Sequence, residues 1–135
     1  MLGVSFTCAS PTGYWIKPEI VSEAKKFATK TGATIIETIN PQTAVKDADI
    51  VYTDTWVSMG NEIEKEKRLK IFVPYQVNKQ LMEKAKKDAI FMHDLPAYRG
   101  NEVTIDVIDG IQSVVFQQAE NRMWAQMALI LYLLK

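Results

Sequence analysis

One cysteine and one histidine stand in 135 residues. A single thiol, Cys8, excludes an intramolecular disulfide and fits a reducing compartment. One His and one Cys also fall short of a zinc ligand set, so no metal is expected. The charge is balanced, with 16 Lys and Arg against 16 Asp and Glu. No excess of one sign argues for nucleic acid or for an anionic membrane surface, and neither partner is expected. The sequence has no Gly-rich phosphate loop, nucleophile elbow or paired-Cys motif. Its longest apolar run, Met127 to Leu134, is too short to cross a bilayer. No charged-then-apolar leader opens it, and the cytoplasm is the expected location. Linkers, repeats and low-complexity tracts are missing too, so residues 1–135 read as one domain.

What is present is a globular composition: 47% hydrophobic and 24% charged, enough to bury a core. The pattern alternates strands and helices. Ser5–Ala9 favours a strand and is stopped by Ser10-Pro11-Thr12-Gly13. Pro18 to Lys30 carries Ile20, Val21, Ala24, Phe27 and Ala28 on one helical face, with Pro18 suited to the first turn and Gly32 to the stop. Strands are predicted over Thr34–Thr38, Asp49–Thr53, Ala89–His93 and Ser113–Phe116. Short helices are predicted after Asn40-Pro41 and over Lys79–Lys86 behind Asn78. Asn61–Lys70 reads as a solvated helix, Thr104 as a helix cap, and Gln118–Leu134 as a long final helix. Such alternation implies an α/β domain with a mainly parallel sheet flanked by helices. Ligands in such sheets sit beyond the carboxyl ends of the strands. That rule singles out Asp54–Gly60 and Asp94–Gly100.

In the first loop, Asp54-Thr55-Trp56-Val57-Ser58-Met59-Gly60, a carboxylate at the strand end can hold an ammonium. The Ser58 hydroxyl and nearby backbone amides can hold a carboxylate, so the loop can grip an α-amino acid. From the residues alone the plainer reading is a helix start with Asp54 and Ser58 as ordinary caps and Trp56 as a core anchor. In the second loop, His93-Asp94-Leu95-Pro96-Ala97-Tyr98-Arg99-Gly100, His93 is open to a chemical role or a buried structural one. Arg99 can clamp an anion or pair with a neighbouring acid. Pro96 favours an extended backbone at Leu95, with its carbonyl rigidly presented. Arg122, in Ala119-Glu120-Asn121-Arg122, can reach an anionic ligand or simply pack at the surface.

These residues carry a resemblance. Asp54-x-Trp56-x-Ser58-Met59-Gly60 is similar to the ornithine-binding loop of ornithine carbamoyltransferases. His93-x-Leu95-Pro96-Ala97-x-Arg99-Gly100 resembles their His-Cys-Leu-Pro loop, and Ala119–Arg122 resembles their final-helix motif. Val45–Asp54 and Phe72–Asn78 flank the first loop as in that family, and the resemblance covers essentially the whole chain. It implies a Rossmann-like α/β fold and transfer of a carbamoyl group from carbamoyl phosphate to ornithine, giving citrulline and phosphate. This is a reaction of arginine biosynthesis and the urea cycle. It implies that Asp54, Ser58 and Met59 bind the amino-acid end of ornithine. Leu95, through its backbone, and Arg122 would contact carbamoyl phosphate, with Asp94 and Arg122 at the reacting groups. No metal or organic cofactor is implied, and the usual assembly is a trimer or a multiple of one.

Three departures temper the expectation of activity. The family's N-terminal domain, with its Ser-x-Arg-Thr-Arg and His-Pro-x-Gln motifs, has no counterpart in these residues. Carbamoyl phosphate is therefore expected to bind only when such a domain is supplied. The first strand and helix of the ornithine-binding domain are also without a counterpart. Their lack predicts a homo-oligomer, a strand-exchanged dimer or a complementing chain. Asp94 stands where the family has cysteine, and Tyr98 where many members have histidine. A second carboxylate beside Asp54 favours the ammonium form of the attacking amine and slows transfer, although Asp94 can also accept its proton. The apolar end of the last helix must be covered by this domain's own core or by another chain. On these grounds the chain alone is expected to be inactive. The alternative is a non-catalytic amino-acid-binding or oligomerising remnant.

Overall fold

Pro18 fixes φ for a first helical turn, and Gly32 leaves the helix in the left-handed region at φ 74°. Between them runs α1, Pro18–Thr31, which connects the strands Phe6–Ala9 (β1) and Ile35–Thr38 (β2). These strands pair in parallel, Phe6 with Ile35 through Ala9 with Thr38. The computed structural model describes residues 3–58, 60 and 62–134. Asn40 opens α2, Pro41–Val45, its side chain accepting from the amides of Gln42 and Thr43. The strand Ile50–Tyr52 (β3) follows. After it come a 3₁₀ turn at Glu62–Glu64, the charged helix Lys65–Phe72 (α3) and a second 3₁₀ turn at Val73–Tyr75. Asn78 caps α4, Lys79–Met82, by accepting from Leu81 N–H at 2.9 Å. This helix is shorter than the predicted Lys79–Lys86. The strand Ile90–Met92 (β4) then pairs in parallel with β3. Thr104 precedes α5, Ile105–Ile108, but its side chain makes no cap; its hydroxyl faces Val77 O at 3.5 Å instead.

Two corrections to the predicted elements have local causes. The strand expected at Ser113–Phe116 is reduced to one parallel bridge, Ser113 to Phe91. Val114 N–H donates to Phe91 O at 3.0 Å, and Gln118 N–H then closes on Val114 O at 2.8 Å. That helical bond starts α6, Val115–Leu133, three residues before the predicted Gln118. Local β preference at Val114 and Val115 is overridden by the helix that follows. The expected single sheet is instead two parallel pairs, β1 with β2 and β3 with β4, among the described residues.

The core gathers on the β3–β4 pair. Val51, Val77, Leu81, Phe91, Val103 and Ile108 are among its buried residues. Phe91, Val103 and Val115 have no exposed surface. The β1–β2 pair is less protected, with Phe6 and Ile36 both about half exposed (49% each). The helix α6 has one buried residue, Val115. From Trp124 onward its large apolar side chains are open, Leu131 at 64% and Leu133 at 71%. Among the described residues only its first residue, Val115, enters the domain's core; the stretch from Trp124 onward does not. No described helix is long and apolar enough to cross a membrane. The architecture is α/β, with parallel strands flanked by helices.

Candidate functional site

Strand register builds the site. Tyr52 pairs with Met92, and the ladder runs one step further as Thr53 N–H donates to Met92 O at 3.3 Å. Asp54 and Asp94 each lie two residues beyond that last pair, on strands about 4.8 Å apart. Both side chains therefore emerge together at the carboxyl end of the pair. Carboxylate oxygens of Asp54 and Asp94 and a ring nitrogen of His93 lie within 4.8 Å of one another. Both aspartates are exposed, whereas His93 is buried. Asp54 Oδ1 accepts from Thr55 N–H at 2.6 Å, which fixes its orientation. Trp56 is buried against the Phe72 ring, so the loop is anchored at its start. Ser58 is exposed, and Met59 lies outside the described residues.

The buried face of the second loop is organised by His93. Its Nδ1 accepts from Leu95 N–H at 2.9 Å. A ring nitrogen that accepts carries no proton, so in the neutral ring the proton is on Nε2. Nε2 lies 3.3 Å from Glu102 Oε1, and Glu102 is fully buried. Glu102 Oε1 also accepts from Tyr98 N–H. The loop thus folds around one imidazole and one carboxylate. Leu95 takes φ 56° ahead of a cis peptide to Pro96. The extended backbone expected at Leu95 is replaced by a left-handed one. A branched residue there costs about 1–2 kcal/mol, which the His93 hydrogen bond helps to offset. Asp54, His93 and Asp94 include the ligand types of a metal site. The Nδ1 lone pair is already committed to Leu95, however. What faces outward is a pair of carboxylates suited to a cationic group such as an ammonium.

Two arginines behave differently from one another. Arg99 makes a two-point contact with Asp109, Nε to Oδ2 at 3.1 Å and Nη2 to Oδ1 at 2.8 Å. It therefore pairs with an acid of this chain. Arg122 is exposed on α6, and its side chain makes no hydrogen bond or ion pair with another described residue. Tyr52, Gln118 and Glu102 are site residues that sequence reasoning missed. The Tyr52 phenol is held above its ordinary pKa by burial, opposed by a hydrogen bond from Gln118 and raised further by the charges of Asp94 and Asp54. Its place was recoverable from the predicted strand ends, because Tyr52 and Asp54 share a face at period two. Glu102 had only the turn at Gly100-Asn101 to signal that the chain doubles back.

Residues 1–133 match the family model described as aspartate/ornithine carbamoyltransferase, Asp/Orn binding domain. The chain belongs to this family. It is 59% identical over 131 residues to the ornithine carbamoyltransferase of Caldicellulosiruptor saccharolyticus, covering 97% of this chain and 42% of that relative. Among solved structures, it is similar to the ornithine carbamoyltransferase from Pyrococcus furiosus at TM-score 0.88 and 50% identity, covering 94% of this chain and 41% of that one. The anabolic ornithine carbamoyltransferase from Campylobacter jejuni gives TM-score 0.91 and 43% identity, covering 97% and 43%. The chain thus spans about two fifths of the length of the relatives it matches. The fold is the Rossmann-like α/β arrangement of these carbamoyltransferases. Of the residues expected at a carbamoyltransferase site, Asp54, Asp94 and Leu95 meet at one strand-end cluster. Ser58 and Arg122 are exposed and are not linked to that cluster by any hydrogen bond or ion pair among the described residues.

Proposed function

We propose that this chain is the ornithine-binding part of an ornithine carbamoyltransferase. The observation that carries the reading is the placement of the Asp54 and Asp94 carboxylates side by side beyond β3 and β4. A cationic amino acid fits there, with Asp54, Ser58 and Met59 taking its amino-acid end. The side-chain amine then attacks the carbonyl carbon of carbamoyl phosphate. A C–N bond forms, the C–O bond to phosphate breaks, and the amine loses a proton. Citrulline and phosphate result. Leu95, through its backbone, and Arg122 take the carbamoyl phosphate side. The other phosphate contacts come from a carbamoyl-phosphate-binding domain outside these residues, because transfer of such an anion needs several fixed donors. The chain alone is inactive by this reading. Its setting is the cytoplasm, and the chemistry needs no metal or organic cofactor.

Asp94 shapes the chemistry. A carboxylate close to the attacking amine, where relatives carry a thiol, favours its ammonium form. Only the neutral amine attacks, so transfer at neutral pH is slower than with a thiol in that place. Among the described residues no further strand pairs with β1 or β3, which supports a strand from another segment or chain joining the two pairs. The exposed apolar stretch of α6 supports a second reading, a non-catalytic remnant that binds an amino acid or oligomerises. Titration calorimetry with ornithine separates these ideas. The chain should bind ornithine without carbamoyl phosphate, and Asp54→Asn should weaken binding about tenfold or more, as for loss of a charged partner. Equal binding by the Asn variant refutes the site. Citrulline should form only after a carbamoyl-phosphate-binding domain is added.

A further inference from the structure

The first turn of α6 sends one side chain back into the strand ends. Gln118 Oε1 accepts from His93 N–H at 3.0 Å. Its amide nitrogen donates to the Tyr52 hydroxyl over a longer 3.5 Å. One amide group therefore touches the last residue of β3, Tyr52, and the first residue after β4, His93. It comes from a helix that joins neither strand to the other. Gln118 is partly buried and Tyr52 is half exposed, so the contact lies at the lip of the cluster.

We propose that Gln118 is a positioning residue that sets the spacing of the two ligand loops and ties both to α6. Its bond to His93 N–H fixes the residue immediately before Asp94. Its bond to Tyr52 fixes the residue two before Asp54 and steers the phenol toward the two carboxylates. The phenol is raised above its ordinary pKa chiefly by burial, with both aspartates adding to the rise. That direction fits a neutral hydroxyl standing beside anions, where it can donate. Arg122 lies four residues after Gln118 on the same helix, hence one turn on and on the same face. Gln118 therefore also links the aspartate cluster to the helix face that carries Arg122. A β-sheet alone supplies no such tie, since the ladder ends at Thr53 N–H to Met92 O.

The consequence for ligand binding rests on the ornithine-binding reading; the brace itself does not. Two variants separate its parts. Gln118→Met keeps the shape and removes both hydrogen bonds. Gln118→Glu keeps the acceptor for His93 N–H and removes the donor to Tyr52. Hydrogen exchange of the His93 amide should speed up in the Met variant and stay slow in the Glu variant, with little change in melting temperature for either. In calorimetry the Met variant should bind ornithine about tenfold more weakly, as for loss of one or two neutral hydrogen bonds. With a carbamoyl-phosphate-binding domain supplied, that loss should enter KM for ornithine more than kcat. Unchanged His93 exchange in the Met variant overturns the brace. Faster exchange with ornithine binding within about twofold of the parent overturns its role in the site. If the parent chain binds no ornithine, the functional reading fails by itself, and the exchange measurement still decides the brace.

Discussion

His93 Nε2 stands 3.3 Å from Glu102 Oε1, and neither side chain reaches solvent. The other face of the same imidazole receives Leu95 N–H. A buried pair of polar groups thus holds a left-handed residue in the loop that carries Asp94. Glu102→Ala should destabilise the chain by about 1–3 kcal/mol, because the His93 nitrogen loses its facing carboxylate. Glu102→Gln should cost less, since the amide oxygen can still accept from Tyr98 N–H. Urea unfolding reads both. An Ala variant within about 0.5 kcal/mol of the parent shows that the pair holds nothing in place.

Asp94→Cys tests the chemistry assigned to the second carboxylate. With a carbamoyl-phosphate-binding domain supplied, citrulline formation at neutral pH should rise, because the attacking amine, relieved of the Asp94 carboxylate, is more often neutral. A rate that stays level or falls points to Asp94 as the proton acceptor.

The Arg99–Asp109 pair gives a pH signature. The Arg99 guanidinium, through its hydrogen bonds, holds the Asp109 carboxyl below its ordinary value. A carboxyl depressed in the folded state adds stability above its unfolded pKa and loses it as pH falls through the folded one. Asp109→Asn should therefore melt below the parent at neutral pH. The difference should shrink through the acid range below the usual carboxylate pKa and vanish once Asp109 is protonated. Both groups are at the surface, so the difference should be small and should weaken in high salt. A gap that persists unchanged into strong acid assigns it to some other contact.

Exposed apolar side chains on α6 predict self-association. Static light scattering at micromolar concentration should show species above the monomer, and Leu131→Glu together with Leu133→Glu should reduce them. Association that survives both changes shifts attention to the edges of β1 and β3 that no described strand pairs. A monodisperse parent monomer counts against both surfaces.

Much of the site was legible along the chain because its residues sit at strand ends. Asp54 and Asp94 follow runs that β preference and turn residues delimit, and a parallel sheet presents ligands there. Asn40 and Asn78 cap their helices as their residue types predict. Trp56 is a core anchor, and Arg99 serves a neighbouring acid, which resolves two readings that local pattern left open. The final strand was misread because Ser113–Phe116 has the preference of a strand, while Val114 O is claimed by Gln118 N–H.

By itself the sequence determined the α/β class, the family, and the two loops that bear the aspartates. Those properties follow from periodicity, caps and motifs, all written in neighbouring residues. Tertiary structure alone decided that the two aspartates meet, because their distance depends on the Tyr52–Met92 register between strands far apart in the chain. It also decided that His93 faces Glu102 and that Gln118 reaches two strand ends at once. Contacts across long stretches of chain are set by packing, and no local pattern encodes which side chain arrives opposite another.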